Sequence, residues 1–218
     1  VLNSIAQQYN NEPVTIAFEP NNYILNGKVQ FTAGVQLYGN GATIDISKLD
    51  DVAFEINSGM TTYIPHLPRT IIQGFTFTGD RAKTNQVAIQ AIHLPRCLTI
   101  RDIQMTEVST GIKVLGKSYV DLIERVNATK VDNFIVLDSY GGEGYAYSPL
   151  GTVINACEVT DGDGNAISIL DMADNSVIAN CWLEGTQNGI YNAGAWHVKI
   201  VGNNISSFSN AGILLGGG

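Results

Sequence analysis

Charge is sparse in this 218-residue chain and positive charge sparser still: Asp, Glu, Lys and Arg make up 15% of it, with 12 Lys and Arg against 20 Asp and Glu. A net charge of −8 with so few cations excludes nucleic acid as a partner, because phosphate is bound by clustered Lys and Arg that displace its counterions. No apolar run approaches the ~18 residues of a membrane-spanning helix, so no membrane span is expected. Cysteine stops at three, Cys97, Cys157 and Cys181, which do not make a disulfide framework. Beyond residue 13 no stretch keeps helical periodicity over three turns, which excludes a helical bundle and leaves strands. Neither a Gly-rich phosphate loop, a zinc-ligand cluster nor a Ser/His/Asp signature is found.

What is present is isoleucine at fixed intervals. Ile89, Ile112 and Ile135 are 23 apart, as are Ile167, Ile190 and Ile213; the one longer step, 32 residues from Ile135 to Ile167, holds nine extra residues where Asp138 to Pro149 sits. A second ladder, Ile100, Ile123, Ile154, Ile178 and Ile200, precedes the first by 12 or 13 residues. Each repeat therefore holds two short apolar segments joined by a polar or Gly-containing turn, units that bury a core only by stacking. Within the segments apolar residues alternate at the strand period: Ile100, Ile103 and Met105 recur as Ile154, Cys157 and Val159, then as Ile178, Cys181 and Leu183. The LxxLxL consensus of leucine-rich repeats is missing. The fold class expected is all-β: a single-stranded, right-handed parallel β-helix of about 23 residues per coil. Cys157 and Cys181 then stack on adjacent coils as buried thiols, with a disulfide or metal site as the alternative.

Leu2, Ile5, Ala6 and Tyr9 share one helical face that Pro13 ends, so a short helix is expected to cap the N-terminal end of the solenoid. The reading is one domain, with a capping helix over 1–12, N-terminal coils over 13–68 and regular coils over 69–218 interrupted by a loop at 138–149. Because GILLGGG stops in register without a cap, the chain reads as a fragment of a longer one.

The run VTIAFEPNNYILNGKVQFTAGVQLYGNGATIDIS carries a strand at Ile16 to Phe18, a turn at Glu19 and Pro20, a strand at Tyr23 to Leu25, and the pattern Val35, Leu37, Gly39, Gly41. In this it resembles the opening of pectate-lyase-like β-helix proteins, and most closely bacteriophage tailspikes and capsule depolymerases. The acidic GDGxxDDT stretch that normally precedes the helix in that family is missing. The resemblance implies carbohydrate chemistry on a bacterial surface polysaccharide, a homotrimer, and a place on the virion tail or outside the cell. It does not choose among hydrolase, lyase, esterase, epimerase and noncatalytic binder.

Outward residues at equivalent positions form rows about 4.8 Å apart, a spacing suited to an extended polymer. One row reads Gln104, Asn127, Glu158, Trp182, Asn204, and a parallel one Thr106, Thr129, Thr160, Glu184, Ser206. Glu158 and Glu184 thus share a face, their Cα atoms about 8 Å apart, within the roughly 6.5–9.5 Å that inverting glycosidases keep between carboxyl groups. Trp182 between them offers a flat surface for a sugar ring, so the first expectation is catalysis by Glu158 and Glu184 with Trp182 binding substrate. Solvated glutamates beside a subunit contact are the alternative. Asp161 and Asp163, in the turn Asp161-Gly-Asp163-Gly-Asn165, have oxygen ligands suited to calcium, the ion used by the pectate lyases this chain resembles. An ordinary turn with no cofactor is the other reading. A third candidate is the inserted loop, with Glu143, Tyr145 and Tyr147 as sugar contacts, together with His93, Arg96, Asp138, Asp171, Asp174, Trp196 and His197 on the same edge. Tyr191 joins the substrate-binding candidates from the row Gln90, Lys113, Val136, Ser168, Tyr191, Leu214. Arg101, Lys113, Lys117, Arg125 and Lys130 read as a solvated basic face, and Val136, Val201 and Leu214 as outward apolar positions open to a partner subunit.

Overall fold

The computed structural model describes residues 14–58, 69–94, 98–140 and 148–216. Among them every strand pairs in parallel and no helix occurs; the cap expected over 1–12 lies outside the described residues. Twelve strands form one sheet, eight a second, and Ser118–Tyr119 pairs with Pro149–Leu150 as a third. The chain visits the two large sheets in turn, coil after coil, which is the expected parallel β-helix.

Both isoleucine ladders are registers of these sheets. Ile89, Ile112, Ile135, Ile167, Ile190 and Ile213 are consecutive partners in the eight-stranded sheet. Ile100, Ile123, Ile154, Ile178 and Ile200 do the same in the twelve-stranded one. The ladders continue upstream in other residues: Phe54 partners Ile89, and Leu37 and Ile72 precede Ile100. From Ile89 to Ile190 the first ladder is fully buried, and each such side chain contributes roughly 1.5–3 kcal/mol of apolar burial. In the early coils Phe18, Phe31, Phe54, Phe75 and Phe77 fill the interior through mostly edge-to-face contacts, with Phe54 and Phe77 centred 5.3 Å apart. Cys157 and Cys181 are buried free thiols on adjacent coils, and a hydrogen bond with Cys181 together with burial pushes the Cys157 thiol well above its ordinary range. Cys97 lies outside the described residues.

The corners between strands are columns too. Asp102, Arg125, Ala156, Asn180 and Gly202 all have φ between 50° and 66°, and Glu107, Lys130, Asp161, Gly185 and Ser207 between 55° and 66°. A left-handed backbone costs a non-glycine residue about 1–2 kcal/mol, yet at Glu107, Lys130, Ala156, Asp161 and Asn180 it goes with an amide bonded to the next coil. Lys130 N–H donates to the Thr160 carbonyl at 2.8 Å, and Ala156 N–H to that of Ala179 at 3.1 Å. Close approach accounts for Gly162: a Cβ there would lie 2.2 Å from the Val131 carbonyl oxygen.

After the inserted segment, Pro149–Leu150 returns beside Ser118–Tyr119 and Val153 partners Leu122, so the insertion leaves the stack in register. One expectation needs correction. Val136 faces outward in sequence register but is only 9% exposed, because it forms the floor of a shallow cleft whose sides include Lys113, Asn133 and Tyr191. Leu214 is half-buried and Val201 is the position left open, at 57% exposure.

Candidate functional site

The strands Glu158–Thr160 and Trp182–Glu184 lie on adjacent coils, each entered through a left-handed corner at Ala156 or Asn180 and left through one at Asp161 or Gly185. Their register pairs Glu158 with Trp182, Val159 with Leu183 and Thr160 with Glu184. Alternation buries Val159 and Leu183 and turns the other four side chains to the outer face. The indole of Trp182 is 48% exposed, and its Nε1–H donates to Glu184 Oε2 at 2.9 Å. The Ser207 hydroxyl donates to the other oxygen, Oε1, at 3.4 Å. Two donors from different coils thus orient the Glu184 carboxylate, while Glu158 stands exposed beside the indole. Asn127 and Asn204 continue the row on either side, Thr160 bonds Thr129 at 3.4 Å, and Asn180 donates to Asn155 at 3.0 Å one strand away. The result is a shallow strip with two carboxylates, one aromatic face and hydroxyl and amide neighbours.

The neighbouring cations are largely matched. Arg125 bonds Asp102 at 2.7 Å and Glu124 at 3.1 Å, Lys130 bonds Glu107 at 3.1 Å, and Arg101 donates to Gln73 at 2.8 Å. The Arg125 guanidinium holds the Asp102 carboxyl below its usual range. Of the basic positions grouped in the sequence, Arg101, Arg125 and Lys130 lie on this side, whereas Lys113 is on the other sheet.

The Asp161–Asp163 turn has a packing explanation. Asp163 forms an ion pair with Arg81, which also reaches Asp132 at 3.7 Å. Gly164, like Gly162, faces a carbonyl: a Cβ would lie 2.5 Å from Asp132 O. Among the described residues no three His, Cys, Asp or Glu side chains come together as a metal site. With the Asp163 carboxylate engaged by a guanidinium, the donor set does not fit calcium.

Tyr191 is on the other sheet, partnering Ser168 and Leu214, and lines the cleft above Val136, so it is not brought to the Glu158–Trp182–Glu184 strip. Glu143, Tyr145, Tyr147 and Arg96 lie outside the described residues. On the edge flanking the insertion, burial raises the Asp138 carboxyl above its ordinary value, and the Asp171 charge adds to this while Lys113 opposes it. The Ser139 hydroxyl donates to Asp171, and Asp174 Oδ1 accepts the Trp196 amide at 2.6 Å. His93 packs edge-on against Tyr140 with ring centres 4.7 Å apart, while His197 lines a separate cleft with Asp174 and Trp196. Of the expected acid/base group, then, Asp138 and Asp171 are neighbours, and His197 belongs to the next cleft.

Sequence reasoning missed one group. Asp121 and Thr152 are successive members of a buried column, the Val153 amide donating to the Asp121 carbonyl at 2.8 Å. Asp121 Oδ1 accepts the Leu98 amide at 3.0 Å, whereas Asp121 Oδ2, Thr152 Oγ1 and Ser118 Oγ are buried without a well-formed hydrogen bond. Burial pushes the Asp121 carboxyl up to about 6, with nearby Ser118 and the Leu98 amide opposing it. The available signal was a run of polar residues, Asp121, Thr152 and Ser176, at a column position that Leu98 marks as inward.

No protein-family model matches the sequence, and no curated protein does. Among solved structures, the A-module of mannuronan C-5 epimerase AlgE6 from Azotobacter vinelandii superposes with a TM-score of 0.49 at 15% identity, covering 98% of this chain and 73% of that one. The A-module of AlgE4 from the same organism gives 0.48 at 16% identity, covering 98% and 75%.

Proposed function

We propose that this chain is the β-helix of a tailspike-type depolymerase that binds a bacterial surface polysaccharide and cleaves it by glycoside hydrolysis. The observation that carries the reading is the Trp182–Glu184 hydrogen bond beside Glu158: an exposed aromatic face fixed in orientation between two carboxylates. In this reading a sugar ring stacks on the indole. Glu184, an acceptor for the indole N–H, acts as the base that draws a proton from water, and Glu158 protonates the leaving glycosidic oxygen. With their Cα atoms about 8 Å apart, the two side chains can span the roughly 6.5–9.5 Å between carboxyl groups that leaves room for that water and goes with inversion at the anomeric carbon. The acidic strip and its matched cations favour an uncharged glycan over a uronate. Assembly as a homotrimer and a place on the virion tail or outside the cell belong to the same proposal.

The test is incubation of the protein with capsule or lipopolysaccharide from candidate hosts, followed by mass analysis of the products. Water-added oligosaccharides are expected, and Glu158→Gln and Glu184→Gln should each slow cleavage by about 10²-fold or more, as for loss of a general acid or base. Unsaturated ends would make the protein a lyase, and tight binding without products an adhesin. Wild-type rates in both variants overturn the site.

A further inference from the structure

We propose that the cleft bounded by Met172, Trp196 and His197 is a second carbohydrate subsite, one that accepts an uncharged sugar ring. It lies at the corner leading into the strand Lys199–Val201, on a different part of the coil from the Glu158–Trp182–Glu184 strip, and does not depend on the roles given to those glutamates.

The cleft holds about 300 Å³ and is lined by Met172, Asp174, Asn175, Trp196 and His197. A second hollow of about 460 Å³ shares Met172 and Trp196 with it and runs on past Asp171. Each is near the lower end of the range for small-ligand sites, about 300–1,000 Å³, and joined end to end they offer room for more than one sugar ring. Trp196 is 66% exposed and Met172 37%, so two large apolar side chains meet water where a stacked ring would cover them. The indole is borne on a fixed support: Asp174, only 4% exposed, accepts the Trp196 backbone amide at 2.6 Å, and the Asn175 amide donates to the Trp196 carbonyl at 3.1 Å. Asp171, Met172, Asn175 and His197 all have positive φ, from 33° to 60°.

The chemistry selects the ligand class. An aromatic face beside amide, imidazole and carboxylate groups matches a ring with one C–H face and hydroxyls at its edge. Among the described residues no Lys or Arg lines either hollow, while Asp171 and Asp174 do, so a uronate carboxylate would meet two like charges and no lysine or arginine to offset them.

The two tryptophans of the sequence, Trp182 and Trp196, make the test direct. Trp182→Phe leaves Trp196 as the single indole, and its emission is followed while D-glucose, D-galactose, chitotetraose or D-glucuronate is added to about 50 mM. At least one uncharged sugar should produce a saturable blue shift with half-saturation in the millimolar range, and glucuronate none. His197→Asn, which tolerates the left-handed backbone, should weaken that binding about fivefold to tenfold, the order expected for one lost hydrogen bond. No saturable response to any of the three uncharged sugars overturns the proposal, as does an equal response to glucuronate. Trp196→Phe reports on Trp182 under the same conditions, so the two sites succeed or fail separately.

Discussion

At Asp121 a buried carboxyl faces a solvent-free corner with one amide donor, and its protonation is tied to folding. Its value rises from 3.8 to about 6 on folding, so the folded state holds a proton that the unfolded chain releases between those values. The stabilisation is therefore complete below about pH 4 and is lost as pH rises to about 6, a change on the order of 3 kcal/mol. Asp121→Asn keeps an acceptor for the Leu98 amide and removes the ionisation. The variant should gain on the wild type by about that amount between pH 4 and pH 7, read as the difference between their urea unfolding curves at each pH. A constant difference across the range would show that Asp121 keeps its proton state on folding. Little of this was legible in the sequence, where an Asp between two apolar segments looks like a turn residue. The outward placement of Glu158, Trp182 and Glu184 was legible, because strand alternation and a 23-residue period fix which side each residue faces. The indole-to-carboxylate bond was not, since it depends on rotamers.

Within a coil, strands and corners differ in how openly they are written. The strands are announced by alternation, and the insertion by the one interval that departs from the period. The corners are not, because Lys130 and Ala156 carry no mark of a left-handed backbone; there the amides bond to the next coil. Glycines are required where another coil's backbone comes too close. Gly162→Ala should destabilise the protein by about 1–3 kcal/mol, the usual cost of overpacking, since its Cβ would lie 2.2 Å from the Val131 oxygen. Gly27→Ala, with nothing within 4 Å, should stay within about 0.5 kcal/mol of wild type in the same denaturant titration. Ile135→Ala, at the centre of a fully buried ladder, should cost about 2–5 kcal/mol.

Across the whole molecule, strands pair only with those of adjacent coils, and exposed apolar residues gather toward the last described coils: Val201, Phe208, Ile213 and Leu215 are each at least 43% exposed. Sedimentation at micromolar concentration should show a trimer if this surface is covered by copies of the chain, and a monomer would remove that part of the proposal. Amide exchange should be slow around Ile112 and Ile135, whose strands are paired on both sides within the stack. From the strand Leu98–Thr106 onward the register runs without a shift. Distances along the axis on this surface are quantised: a side chain moved by one repeat shifts by about 4.8 Å and by nothing in between. A side chain can therefore be moved only by whole coils along this surface, and extra residues can enter the sequence, as between Asp138 and Pro149, with the pairing after them undisturbed.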